Sequence, residues 1–196
     1  MYEQSRPMIP AGCKGVLDVG CGDGASLMDA GLPSGAFSAG VDVDLDRLQA
    51  GRRKLPTSHF IQGMGEDLPF GNDCVDAYIS RVSWPYMSVP QTAREAFRVL
   101  RPGGFLWVTL HPLNFVFRHW LRSFLSLRIK DAIFRAYVIC NGLVLHLAGA
   151  DYRFPFGRRR CESFQSNRGM RRVLAQIGFK DIKISRGTSF IVTARK

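Results

Sequence analysis

The chain has 196 residues, 46% of them apolar and 22% charged, with a formal net charge of +11, values that fit one soluble globular domain with a sizeable core. It opens with no apolar leader and contains no run of about 18 apolar residues, which argues against a signal peptide and a spanning helix. The five cysteines (Cys13, Cys21, Cys74, Cys140, Cys161) are scattered without a C-x-x-C pair, so no metal site is expected, a disulfide framework is disfavoured, and a cytoplasmic setting follows.

In chain order, short apolar runs near Gly15–Gly20, Ala36–Asp42, Thr57–Gln62, Cys74–Ser80 and Phe105–Leu110 predict strands. A short helix after Gly24 and helices over Leu45–Lys54 and Pro90–Leu100 separate them. In the last of these, Ala93, Ala96, Phe97 and Leu100 recur at i, i+3, i+4 and i+7, one buried face, before R-P-G-G (Arg101–Gly104) ends the helix and turns the chain. Residues 112–164 interrupt the alternation. Phe117, Trp120, Leu121, Phe124 and Leu125 form an apolar stripe among Arg118, Arg122 and Lys130, and Ala132–Leu147 is a second helical stretch. Phe154–Arg160 then patterns as a loop. Ser166–Ile177 predicts a helix stopped by Gly178, and strands over Phe179–Ser185 and Thr188–Ala194 joined at Arg186–Gly187 predict an antiparallel hairpin, because a parallel crossover needs a dozen or more residues.

The expected fold is therefore α/β: a doubly wound, mostly parallel seven-stranded sheet with a C-terminal antiparallel hairpin and a helical insertion after the fifth strand. The organisation is one domain, with residues 1–112 as a core, 113–164 as an insertion or lid, and 165–196 as the closing helix and hairpin.

Residues 16–24 read V-L-D-V-G-C-G-D-G, a strand followed by a glycine-rich turn. Two ligand classes use such a turn. Gly20, Gly22 and Ala25 satisfy the dinucleotide pattern, with Asp42 about 20 residues on, but Asp23 in the turn opposes a pyrophosphate. S-adenosylmethionine has no phosphate, and its methionine end carries an ammonium and a sulfonium. Asp18 at the end of the first strand suits that ammonium, and Asp42 at the end of the second is placed to accept both ribose hydroxyls. The loop fits the sulfonium cofactor better.

With those residues in view, the chain resembles the class I (Rossmann-like) S-adenosylmethionine-dependent methyltransferases, in particular the small-molecule branch that includes quinone-type enzymes. V-L-D-V-G-C-G-D-G is similar to the family's first motif, G-V-D-V-D (Gly40–Asp44) to its second, and F-I-Q-G-M-G-E-D-L-P-F (Phe60–Phe70) to its third. V-D-A-Y-I-S (Val75–Ser80) and R-V-L-R-P-G-G-F-L (Arg98–Leu106) resemble its fourth strand and the approach to its fifth. The resemblance implies S-adenosylmethionine as cofactor, bound by Asp18, Gly20, Cys21, Gly22, Gly24, Asp42, Val43, Met64, Gly65, Glu66 and Ser80. Two departures stand out. Met64 occupies the position where the family has an Asp that accepts from the adenine amino group, which leaves Glu66 or backbone for that role. Only 14 residues precede the first strand, so the family's N-terminal cap helix is short or missing and residues 113–150 are the candidate cover.

Methyl transfer from a sulfonium is an in-line displacement that needs proximity, alignment and a dry site, with a base only where the acceptor must lose a proton. Beyond the carboxyl ends of the fourth and fifth strands, His111 is the candidate catalytic base, and Arg81, Tyr86 and His111 are candidate acceptor contacts. The tetrad S-W-P-Y (Ser83–Tyr86) departs at Trp84 from the motif of amino-methylating nucleic-acid enzymes. The expected acceptor is small and hydrophobic or anionic, with a lipid among the candidates; the alternatives are nucleic-acid methylation and a catalytically inactive cofactor-binding or membrane-associated protein of the same fold. Charge bears on this. Residues 1–112 hold 10 Lys/Arg against 12 Asp/Glu, a balance of −2, whereas residues 113–196 hold 17 against 4, a balance of +13. A basic, apolar insertion suggests peripheral membrane contact through residues 113–160, with Arg158–Arg160 toward anionic headgroups. An ordinary lid with solvated arginines is the competing reading.

Overall fold

The computed structural model describes residues 6–33, 35–111, 129–155, 161–187 and 189–196. These form β1 (Gly15–Val19), β2 (Phe37–Asp42), β3 (His59–Gln62), β4 (Val75–Arg81), β5 (Leu100–Leu110), β6 (Lys180–Arg186) and β7 (Phe190–Arg195). Five helices accompany them: α1 (Ala25–Asp29), α2 (Leu45–Lys54), α3 (Val89–Val99), α4 (Ile129–Ala148) and α5 (Asn167–Ile177). The strands make one sheet in the order β3-β2-β1-β4-β5-β7-β6. The first five pair in parallel, and β7 inserts antiparallel between β5 and β6. This is the expected doubly wound sheet with its closing hairpin.

All five residues of β1 are buried because helices cover both sides of the sheet. Leu17 and Val19 face a core shared with Val99, Leu100, Met170 and Leu174. Val16 faces the other, with Leu27, Leu48, Phe60 and Trp107. The only polar residue in that strand is Asp18, and it too is fully buried. An ionisable group in an interior strand covered on both faces is expensive to keep there, and so marks a site.

Local chemistry sets the helix ends. Asp44 caps α2, accepting from the backbone N–H groups of Asp46 and Arg47, both at 3.1 Å. Arg52, Arg53 and Lys54 then fall in its last turn, where cations suit the helix dipole. Ser166 caps α5 through the Gly169 N–H at 3.1 Å, and Gly178 closes it in a left-handed conformation. The boundaries of these two helices were readable to within a residue.

The helix after Gly24 is short, as expected, at five residues. One difference from expectation is instructive. Strand β5 begins at Leu100, not Phe105: Leu100 pairs with Val75, and the ladder resumes with Phe105 opposite Ala77, so R-P-G-G is a bulge within the strand. The second apolar stretch of the insertion is a 20-residue helix, α4. The stripe from Phe117 to Leu125 and the cluster Arg158–Arg160 lie outside the described residues.

Candidate cofactor cleft

The strand order reverses at β1, whose neighbours are β2 and β4, and the crevice beyond the carboxyl ends of these strands is where open α/β sheets bind ligands. A cleft of about 440 Å³ occupies that place. Its walls include Gly20, Asp42, Val43, Met64, Gly65 and Glu66 from the predicted cofactor set, and Arg81 and Tyr86 from the predicted acceptor set.

The turn after β1 is held from two sides. The N–H groups of Gly20 and Cys21 donate to the Val41 carbonyl at 2.8 and 3.1 Å, and the Gly22 N–H donates to Asp42 Oδ2 at 2.7 Å. The other Asp42 oxygen accepts from the Asp44 N–H at 3.0 Å, so the carboxylate is fixed at the rim of the cleft. Gly20 has φ +72°, and a Cβ there would lie 2.2 Å from that of Ser83; no other residue fits.

Beneath the turn, Ser80 and Ser83 hydroxyls both donate to the Val19 carbonyl, at 2.8 and 2.9 Å. Ser80 is fully buried, so it serves as a strut under the cleft floor and does not line it. Cys21 and Gly24 also turn away from the cleft. Cys21 Sγ packs where a Cβ on Gly40 would lie, 2.6 Å off, its thiol pushed up in pKa by burial, while Gly24 abuts Phe60 and Leu55. These three act on the loop's shape.

Asp18 is the most telling residue. Neither of its buried carboxylate oxygens has a hydrogen-bond partner among the described residues. Burial pushes its pKa up to about 7, with Arg81 opposing that rise and Asp42 adding to it. An unpartnered buried carboxylate is a standing demand for a donor or a cation. Asp23, by contrast, is satisfied: Lys54 bonds it, Arg47 stands 4.0 Å away, and its pKa lies below the usual range chiefly because of the Lys54 hydrogen bond. The sequence argument that Asp23 repels a pyrophosphate therefore weakens, and the preference for a cationic ligand passes to Asp18 and Asp42.

On the acceptor side, Arg81 is nearly buried and pairs with Asp29 of α1 at 2.7 Å. Its charge is answered within the protein, which argues against its predicted role as an acceptor contact. Tyr86 and His111 are brought together: the phenol oxygen lies 3.0 Å from His111 Nε2, with the rings edge to face. Glu66 Oε1 accepts from the Ser88 N–H at 3.1 Å, so one of its oxygens is committed to the start of α3. Sequence reasoning missed Arg47, Val82, Met87, Arg153 and Cys161, which with Val41, Gly63 and Ser83 complete the walls. Val82 has φ +57°, a strained conformation for a β-branched residue and of a kind that gathers at functional sites. No sequence signal announces it. Cys161 and Arg153 reach the cleft only because α4 and the chain after it fold back over the sheet.

Residues 17–108 match a family described as a methyltransferase domain. A phthiotriol/phenolphthiotriol dimycocerosates methyltransferase of Mycobacterium leprae is 32% identical over 137 residues, covering 67% of this chain and 50% of its own length. An uncharacterized methyltransferase of Synechocystis is 35% identical over 139 residues, covering 68% of this chain and 65% of its own. Among solved structures, a SAM-dependent methyltransferase of Thermotoga maritima superposes over 96% of this chain and 83% of its own with a TM-score of 0.65, at 15% identity, a likeness of fold. Residues 17–108 carry a methyltransferase domain, in a fold shared with S-adenosylmethionine-dependent methyltransferases. The match spans about half the length of the mycobacterial relative.

The methyltransferase cleft fits its cofactor on its own terms. Asp18 supplies a buried carboxyl with no hydrogen-bond partner among the described residues, and Asp42 a fixed carboxylate at the rim. Val43 and Met64 are large apolar side chains left 62% and 46% exposed on the cleft wall, surface that a flat heterocycle would cover. At the position where the resemblance implied an adenine-accepting Asp, the Met64 side chain offers only apolar contact. Its carbonyl accepts from the Asp67 N–H at 3.2 Å in a tight turn.

Proposed function

We propose that this methyltransferase acts on a small, hydrophobic acceptor whose reacting group loses a proton, with His111 as the base and Tyr86 relaying to it. The observation that carries the reading is the 3.0 Å hydrogen bond between Tyr86 and His111 at the carboxyl ends of β4 and β5, where Tyr86 also lines the cofactor cleft. When bound, S-adenosylmethionine supplies an electrophilic methyl group. The protein's part is positional: Asp18, Asp42 and the Gly20 turn hold one partner, the cleft's apolar rim shields it, and the dyad takes the proton. With His111 Nδ1 protonated, Nε2 accepts from the Tyr86 hydroxyl, so a proton leaving the acceptor can enter at Tyr86 as its own proton passes to Nε2. Tyr86 stays neutral across the physiological range because burial, and the nearby charge of Glu162, raise its pKa while Arg135 opposes them.

A hydrophobic acceptor is supported by the apolar cleft rim and by the M. leprae relative, whose name refers to a lipid substrate. Peripheral membrane contact through residues 113–160 would bring such an acceptor within reach. The test is calorimetric titration with S-adenosylmethionine, then a methyl-transfer assay against hydrophobic alcohols, phenols and quinols. Cofactor binding with turnover on one of these classes is the expected result. Cofactor binding with no turnover on any acceptor, nucleic acids included, would point to an inactive relative of the fold.

A further inference from the structure

Helix α4 is apolar on the side that none of the described residues packs against. Ile133, Ala136, Cys140, Leu143 and Leu147 follow one another at spacings of three, four, three and four residues, and all five are exposed, Leu147 at 60%. The opposite side is the packed one. There Val138, Asn141, Gly142 and Leu145 are buried, with Gly142 against the Phe164 ring and Leu145 against Gly169 of α5. A helix with two apolar sides belongs either in a protein core or against an apolar surface. Among the described residues no helix is long and apolar enough to cross a membrane, so α4 can lie along a bilayer but not through it.

Charge and area choose between a bilayer and a second copy of the chain. Between residues 132 and 148 the helix carries no acidic side chain, and its one acidic residue, Asp131, is balanced by Lys130 and Arg135. At its far end, Arg172 of α5 stands beside Gly149, which places a cation near each end of the helix. Two copies of so basic a face repel each other, whereas an anionic membrane surface attracts it. The stripe is about 21 Å long and one helix wide. That is a few hundred Å² at most, well under the roughly 800 Å² per partner of a stable protein interface, but sufficient for shallow insertion at a headgroup boundary.

We propose that the outer face of α4 docks this protein on an anionic lipid bilayer, with the apolar stripe in the interface and the flanking cations at the headgroups. The inference builds on the reading of a hydrophobic acceptor and gives it a route. The packed side of α4 is bonded to the cleft, since Asn141 donates to the Glu162 carbonyl at 2.8 Å beside Cys161, which lines it. Docking through α4 therefore sets the cleft one helix diameter, roughly 10 Å, behind the lipid surface.

Cys140 lies mid-stripe and is the exposed member of the five cysteines, which makes it a built-in reporter. The native protein, labelled there with an environment-sensitive fluorophore, is mixed with phosphatidylcholine vesicles with and without roughly one-third phosphatidylglycerol. The expected result is a blue shift with the anionic vesicles, together with co-sedimentation that falls at least about tenfold in the double variant Leu143→Asp, Leu147→Asp. Both substitutions are at exposed positions, and calorimetry with S-adenosylmethionine should show cofactor binding unchanged. Failure of Cys140 to react, absence of a shift, or co-sedimentation unaltered in the variant would each overturn the proposal. So would a native dimer that the variant converts to a monomer without any vesicle binding. A chain that docks but does not bind the cofactor would leave this inference standing and remove the functional reading.

Discussion

The phenol oxygen of Tyr86 lies 3.0 Å from Nε2 of His111, joining residues 25 apart in sequence at the mouth of the cofactor cleft. Tyr86 ends a single 3₁₀ turn after β4, and His111 follows β5 directly; the parallel pairing of those strands brings the two side chains together. If this pair moves the acceptor's proton, His111→Gln should lower kcat by about 100-fold, in the range of general base catalysis, with little change in cofactor affinity. Tyr86→Phe should cost about tenfold and leave the pH-rate profile with a single rising limb. A purely packing role predicts instead that the losses track thermal stability, which a melting curve on the same samples would reveal.

Asp42 accepts from two backbone N–H groups and lines the cleft. Removing it as Asp42→Ala frees the Gly22 N–H and takes away the rim carboxylate together. Hydrogen bonds to charged groups contribute about 1.5–3 kcal/mol, so S-adenosylmethionine affinity should fall by roughly 10- to 100-fold. Titration calorimetry measures it directly. An affinity within twofold of native would show that the carboxylate serves the turn alone.

Asp18 makes a pH prediction whose sign is fixed. Its pKa rises from an ordinary 3.8 to about 7 in the folded chain, so the folded state binds this proton more tightly than the unfolded state does. Its contribution to stability is therefore largest below about pH 4 and falls as pH climbs to about 7, after which it is level. Asp18→Asn should flatten that slope and stabilise the cofactor-free protein at pH 8 by on the order of 1 kcal/mol, read from urea midpoints. The same change should weaken cofactor binding. A cationic ligand also lowers the pKa of a nearby carboxylate, so binding near pH 6 should release protons, seen as buffer-dependent calorimetric heats.

Asp151 ties the helical insertion to the start of α3. Its carboxylate accepts from the Ser88 hydroxyl and the Val89 N–H, both at 2.7 Å, satisfying the start of α3 from outside the helix. Asp151→Ala leaves two largely buried donors without a partner, which should destabilise the fold by about 1–3 kcal/mol. Asp151→Asn, which keeps an acceptor oxygen, should recover part of that. Equal losses for the two variants would mean that the carboxylate's charge, and not its acceptor geometry, matters at this helix start.

Much of this protein was determined locally. Alternation of apolar runs with amphipathic stretches gave the order of strands and helices, the two-residue link at Arg186–Gly187 required a hairpin, and a carboxylate at the end of β2 required a position at the rim. Each depends on neighbours within about one turn or one strand, where backbone periodicity and turn chemistry act. The bulge at Arg101–Gly104 was misread because proline and glycine signal a turn whether or not a neighbouring strand continues the ladder on both sides. Tertiary structure decided the rest. Asp18 was legible as a ligand candidate, but its unpartnered burial comes from helices covering both faces of β1. Arg81 looked free to meet an acceptor until α1 placed Asp29 against it. The meeting of Tyr86 with His111, the strained Val82, and the exposed apolar side of α4 arise from which elements pack together, a long-range outcome that no local pattern encodes.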